Sequence, residues 1–172
     1  MAVRAVLRYP DRRLRQRCAP VTDLAAAQEV IQDLCDTLQA SGHGVGIAAP
    51  QIGALLRIIV INCEAHVKKS LGLQVLINPV ITASEAYYSL REGCMSLPDY
   101  LGPVDRARRI TLEALSPTGE QLTLQAQKFE AVVIQHEIDH LDGVLFIDRV
   151  SSPRTQLLRR SELLKQKQHR EA

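Results

Sequence analysis

The chain has no tryptophan and few other aromatics, four tyrosines and two phenylalanines. Aromatic packing therefore contributes little, and the interior must be built from Leu, Ile, Val and Ala. No apolar run approaches the roughly 20 residues of a membrane span. The net charge is only +2, too small an excess to argue for nucleic acid, so no specific DNA partner is expected. Cysteines are few: Cys18, Cys35, Cys63 and Cys94. Their spacing matches neither a CxxC zinc framework nor a small secreted disulfide scaffold. The opening "MAVRAVLRYPDRRLRQR" lacks the apolar core of a secretory signal. It is arginine-rich, but it has no serine, and Pro10 and Asp11 suit an amphipathic presequence poorly. The expectation is a cytoplasmic protein with reduced thiols and no membrane partner. What is abundant is apolar aliphatic sequence, within 46% hydrophobic residues over a length of 172. That predicts a single domain over 1–172 with a core that needs no disulfide.

Periodicity supplies the elements. Leu24, Ala27, Ile31, Leu34 and Leu38 share one face of a helix expected over 23–40, with Thr22 or Asp23 as its cap and Ser41-Gly42 as its stop. "GHGVGIAAPQIG" follows, too glycine-rich for a helix and too apolar for a solvent loop. "LRIIVIN" (56–62) and "QVLINP" (74–79) read as strands, and 80–91 looks extended. "RRITLEAL" (108–115) and "EQLTLQA" (120–126) alternate, with "SPTG" between them as a hairpin turn. The period then becomes helical over 129–142, and Gly143 suits the position that ends such a helix. A last amphipathic helix is expected over about 153–168, apolar through Leu157, Leu158 and Leu164 and basic through Arg159, Arg160, Lys165 and Lys167. The fold class is α+β: mostly antiparallel sheets packed around the 129–142 helix, with a helix near each terminus.

Within that helix lies "QHEIDH" (135–140). Residues four apart share a helix face, so His136 and His140 can bind one metal. Glu137 then stands beside the metal as an unligated general base, the HExxH arrangement. Taken singly, each histidine reads as well as a core residue with a backbone partner. Burying Glu137 on an apolar helix, however, costs several kcal/mol unless a cation compensates it. A third ligand is needed, with a position left open for water. The downstream candidates are Asp142, which is too near, and Asp148, Glu162, His169 and Glu171 in the exit and tail. Cys94, framed by glycine and a polar turn in "REGCMSLPDY", is the better one. A general zincin peptidase is the competing reading. It is disfavoured because its third ligand ordinarily lies downstream.

Three motifs, "GVGIAAPQ" (44–51), "EGCMS" (92–96) and "QHEIDH" (135–140), resemble the signature motifs of the peptide deformylases in order and spacing. "VLRYPDRRLR" near the start and "INP" at 77–79 are also similar to that family. The resemblance implies hydrolytic removal of the formyl group from the N-terminal formylmethionine of new polypeptides. It implies Cys94, His136 and His140 as metal ligands. Fe(II) is the expected metal in cells, with zinc, nickel or cobalt as replacements. Glu137 would take a proton from the attacking water and pass it to the leaving amine. Gln51 and the backbone N–H of Met95 would donate to the oxyanion. Gly44 and Gly46 would let a peptide backbone come close, pairing with Val45-Gly46 and with Gly93. Val45, Phe129, Val132 and Val133 would line the methionine pocket. Met95 stands where the family often has leucine. "DYLGPVD" offers Leu101 where some members have an arginine that can meet the peptide, so the resemblance does not extend to the peptide beyond methionine.

The remaining expectations are plain. Arg106 pairs with Asp139, which cannot reach the metal face. His43, His66 and His169 are solvated, and Cys18, Cys35 and Cys63 are small packed side chains. The protein is a monomer that acts on nascent chains, and its basic last helix is a candidate ribosome contact. The alternative is a deformylase-like protein with another formylated substrate, or one that binds peptide without turnover.

Overall fold

A computed structural model describes residues 2–162 of the chain. One antiparallel sheet runs in the order β1 (Gly46–Ala48), β2 (Ile58–Ile61), β3 (Gln74–Cys94), β4 (Leu97–Leu115) and β5 (Gln121–Gln127). Two helices pack on it, α1 (Leu24–Ala40) and α2 (Lys128–Leu141). The architecture is mixed, with one antiparallel sheet and few helices.

Strand β2 explains the layering. Its four residues are all buried, which is why "IIVI" is a continuous apolar run rather than an alternating one. Successive side chains leave a strand on opposite faces. Ile58 and Val60 pack with Ala27, Ile31, Leu34 and Leu38 of α1. Ile59 and Ile61 pack with Ile134, Ile138 and Leu141 of α2. Each fully buried Ile or Leu in these layers contributes about 1.5–3 kcal/mol.

Local signals set the helix ends. The Asp23 carboxylate accepts from the Ala26 N–H at 3.0 Å and caps α1. At the end of α2, Gly143 takes φ +72°, and its N–H donates to His140 O at 3.2 Å. The Val144 N–H donates to Asp139 O at 2.9 Å, completing a Schellman motif. Glycine is needed there twice over, because a Cβ would also stand 2.6 Å from the Arg15 carbonyl oxygen.

The central hairpin is longer than the sequence suggests. β3 and β4 stay paired from Ile77–Leu115 to Cys94–Leu97, with register shifts at three places. The segment 80–91 is therefore strand. So is 97–107, where Gly102 and Pro103 interrupt the alternation and hide it. "SPTG" forms the expected turn before β5, with the Gly119 N–H on Ser116 O at 3.0 Å.

The C-terminal expectation is corrected. Its described part is not one helix but a short turn of helix, α3 (Pro153–Gln156), then a strand, β6 (Leu158–Arg159). β6 pairs with Tyr100 and Leu101 of β4. The reason lies in that strand: β5 covers β4 only over 109–115. The rest of the edge carries open backbone groups, and β6 satisfies some of them. Leu157 packs against the cluster of Leu97, Val104, Phe146 and Val150. The chain is helical again at 160–162. Leu164, Lys165, Lys167 and His169 lie outside the described residues.

Candidate active site

Helix α2 carries His136, Glu137 and His140, and its apolar neighbours Val132, Val133, Ile134 and Ile138 bury all three. The imidazoles lie one turn apart, ring centroids 5.1 Å from each other. The end of β3 delivers Cys94, whose Sγ is 3.3 Å from His140 Nε2. One donor atom from each of Cys94, His136 and His140 lies within 4.8 Å of the other two. Burial opposes a thiolate at Cys94, yet His140 and His136 beside it hold the thiol well below its ordinary pKa.

Glu92 fixes the orientation of His136. Its Oε2 is 2.8 Å from His136 Nδ1. A carboxylate with a low pKa can only accept, so Nδ1 carries a proton and the ring is held with Nε2 turned away from Glu92. Burial works against the Glu92 charge, but His136 and Arg106 bring its pKa down to about 2. Arg106 donates to both Glu92 oxygens, at 2.8 and 3.0 Å, and to Asp139 Oδ2 at 2.6 Å. Arg149 then holds both Asp139 oxygens at 2.5 Å. The expected Arg106–Asp139 pair is thus one link in a chain that runs from buried His136 to exposed Arg149.

Glu137 has the opposite environment. Burial pushes its carboxyl up to about 7. Its Oε2 has no hydrogen-bond partner among the described residues, and neither has His140 Nδ1. Gly46 allows the carboxyl its position, since a Cβ there would stand 2.5 Å from Oε1. Gln51 sits on a short 3-10 turn (Ala49–Ile52) and is almost fully buried. Its Oε1 accepts from the Ala48 N–H at 2.9 Å, which turns its NH2 toward Ser96 Oγ at 3.1 Å and Cys94 Sγ at 3.6 Å. The group suits a divalent cation: one sulfur and two imidazole donors converge, and a carboxyl with a free oxygen is buried next to them.

A cavity of about 420 Å³ opens onto Gln51, Cys94, His136 and Glu137, with His140 behind Cys94. A sequence model of the family described as polypeptide deformylase matches residues 3–156. The chain belongs to the polypeptide deformylase family. It is similar to peptide deformylase 1 of Vibrio vulnificus, 43% identical over 157 residues, covering 91% of this chain and 92% of that one. It is also similar to the peptide deformylase of Thermodesulfovibrio yellowstonii, 35% identical, covering 93% and 96%. A crystal structure of a peptide deformylase from Legionella pneumophila superposes with a TM-score of 0.81 at 35% identity, over 98% of this chain and 99% of that one. A Met-Ala-Ser-bound class I type b deformylase from Acinetobacter baumannii gives a TM-score of 0.79 at 30% identity, over 87% and 99%.

In this deformylase-family chain, Val45, Gly46, Gly93, Phe129, Val132 and Val133 all line the cavity, with Gln51, Cys94, Met95, His136 and Glu137. Leu90, Arg91 and Arg160 also line it and were not anticipated. Leu90 was hidden in a stretch with no clear inward face. Arg160 was hidden because the C-terminal segment reads as a helix. Glu92 stood inside a quoted motif, but nothing in its spacing showed that it would meet His136. His43 borders the cavity while exposed. His66 is exposed and lies edge-on to Phe129 at 5.7 Å. Cys18 and Cys63 are buried, and burial raises their thiols to about 11 and about 12.

Removing a partner from a buried ion network costs several kcal/mol, because the charge left behind stays buried. Glu92 would keep His136 and Asp139 would keep Arg149, so the loss sits at the low end. Arg106→Ala should lower stability by about 3 kcal/mol in chemical denaturation. A change within about 0.5 kcal/mol would mean that the network does not hold the fold.

Proposed function

We propose that this chain hydrolyses the formyl amide at the N-terminal formylmethionine of newly synthesised polypeptides, releasing formate. The observation that carries the reading is the convergence of Cys94, His136, His140, Glu137 and Gln51 beside one cavity in a chain of this family. In this reading α2 is the central metal-binding helix of one catalytic domain over 1–172. Strands β3 and β4 contribute to all three apolar clusters, which supports a single domain.

Cys94 Sγ and the two imidazoles would hold the metal, which supplies Lewis acidity and brings the pKa of water toward neutrality. Glu137 takes the proton of the attacking water at its free oxygen and delivers it to the leaving amine nitrogen. The Gln51 NH2, locked by the Ala48 N–H, and the Met95 N–H donate to the oxygen of the tetrahedral intermediate. One such donor is worth about 10²–10³ in kcat. The peptide lies extended, its backbone paired with Val45-Gly46 and Gly93. Phe129, Val132, Val133 and Val45 take the methionine side chain.

We take Fe(II) as the metal in cells. A thiolate with two imidazoles accepts zinc, nickel or cobalt as well. The proposed setting is the cytoplasm, where formylated chains are made. Among the described residues, no helix is long and apolar enough to cross a membrane. A monomer that meets the ribosome through its basic C-terminal segment belongs to the same reading. Arg154, Arg159 and Arg160 are exposed there. Ribosome co-sedimentation of the full chain against a chain ending at residue 152 tests that contact.

The test of the activity is formate release from formyl-Met-Ala-Ser without oxygen. Wild type should release formate, and Glu137→Ala that retains metal should be slower by about 10²–10⁴. No release by metal-loaded wild type would overturn the reading in favour of another formylated substrate or of binding without turnover. If iron is the metal, protein made in cells should lose activity in air and keep it under nitrogen, as metal and Cys94 oxidise. Equal activity in both would point to another metal.

A further inference from the structure

Resting on that reading, we propose that Arg160, with Arg91 beside it, makes the cavity mouth selective for peptides that carry a carboxylate on one of the two residues after formylmethionine. The C-terminal segment reaches the site because β6 pairs Leu158 and Arg159 with Leu101 and Tyr100. That pairing fixes the backbone one residue before Arg160. The Arg160 Nε then donates to Pro98 O at 3.1 Å, which anchors one side of the guanidinium. A Cβ built on Gly93 would meet Leu101 Cδ2 at 2.5 Å and Arg160 Nη2 at 2.9 Å, so the guanidinium lies directly against the Gly93 backbone. Gly93 is also where the peptide backbone is proposed to pair, which puts the charge beside the substrate's path.

The charge around the mouth is one-sided. Arg91 and Arg160 both line the cavity and are both exposed. The carboxylates that line it are Glu92 and Glu137. Glu92 is consumed by Arg106 and His136, and Glu137 lies inward against Gly46. No salt bridge among the described residues involves Arg160 or Arg91. An arginine fork with Nε used keeps its Nη donors for an incoming carboxylate. An extended peptide advances about 3.3 Å per residue, so the residues after methionine pass the rim rather than the floor. The discrimination is assigned to binding, because the chemical roles proposed above fall to Glu137, Gln51 and Met95.

The test uses the metal-loaded full chain at low ionic strength, with amide-capped formyl-Met-Xaa-Ala and formyl-Met-Ala-Xaa, where Xaa is Asp, Ser or Lys. In at least one series kcat/KM should fall in the order Asp, Ser, Lys, with Asp over Lys by about five-fold. The difference should sit in KM and shrink with salt. Arg160→Ala should remove most of the preference, Arg160→Glu should invert it, and Arg160→Lys should retain it. A variant that merely loosened the C-terminal segment would not invert the order. Equal values for all peptides in wild type, or an Asp preference that survives in Arg160→Glu, would overturn the inference. Failure of the activity reading looks different: no peptide is turned over at all. Calorimetric binding of the same peptides to Glu137→Ala then decides separately. An Asp-over-Lys affinity difference supports the charged mouth, and its absence overturns it.

Discussion

A charge taken out of water costs several kcal/mol unless a partner replaces the lost solvation. This chain buries Glu92, Arg106, Glu137, Asp139 and the metal-site candidates Cys94, His136 and His140 around one helix. The fold divides them into two sets. Glu92, Arg106, Asp139 and Arg149 compensate one another through short hydrogen bonds, and Glu92 extends that network to His136. Glu137 and His140 are left with buried polar atoms that no described residue satisfies. The paired set holds its members in place. Of the unpaired pair, Glu137 lines the cavity and keeps capacity for something that arrives there.

That division has a chemical consequence for the two carboxyls. Glu92 sits between a guanidinium and an imidazole and is held down to about 2. Glu137 is buried against Gly46 beside the donor set, and that burial raises it to about 7. The first is a fixed anion suited to orienting a ring. The second can exchange a proton near neutrality, which is what a general base requires. The same residue type serves two ends because its surroundings differ, and β3 and α2 supply those surroundings.

Much of this was legible where the information is local. The α1 cap, the α2 stop at Gly143 and the hairpin at Ser116–Gly119 each depend on residues within a few positions of one another. The i, i+4 spacing puts His136 and His140 on one face without any tertiary knowledge. Legibility fails where a partner is remote. The role of Glu92 depends on α2, 44 residues away. The strand at 97–107 carries Gly102 and Pro103, and only its pairing with β3 reveals it. The C-terminal leucines fit a helix by period. An open edge on β4 outweighed that propensity, as tertiary context commonly does.

The N-terminal segment shows how an irregular stretch can still be ordered. Its N–H groups donate to carbonyls of the three motif regions: Leu7 to Gln51 at 2.7 Å, Tyr9 to Ser96 at 2.9 Å and Cys18 to Leu141 at 2.8 Å. Leu14 is fully buried in the same cluster as Cys94. A long helix would have spent these donors within itself. This one spends them on the turn that carries Gln51, the hairpin tip that carries Cys94 and the end of α2. The three regions that must meet at the cavity are therefore tied to one covalent strand. Its rigidity comes from their backbones rather than from its own.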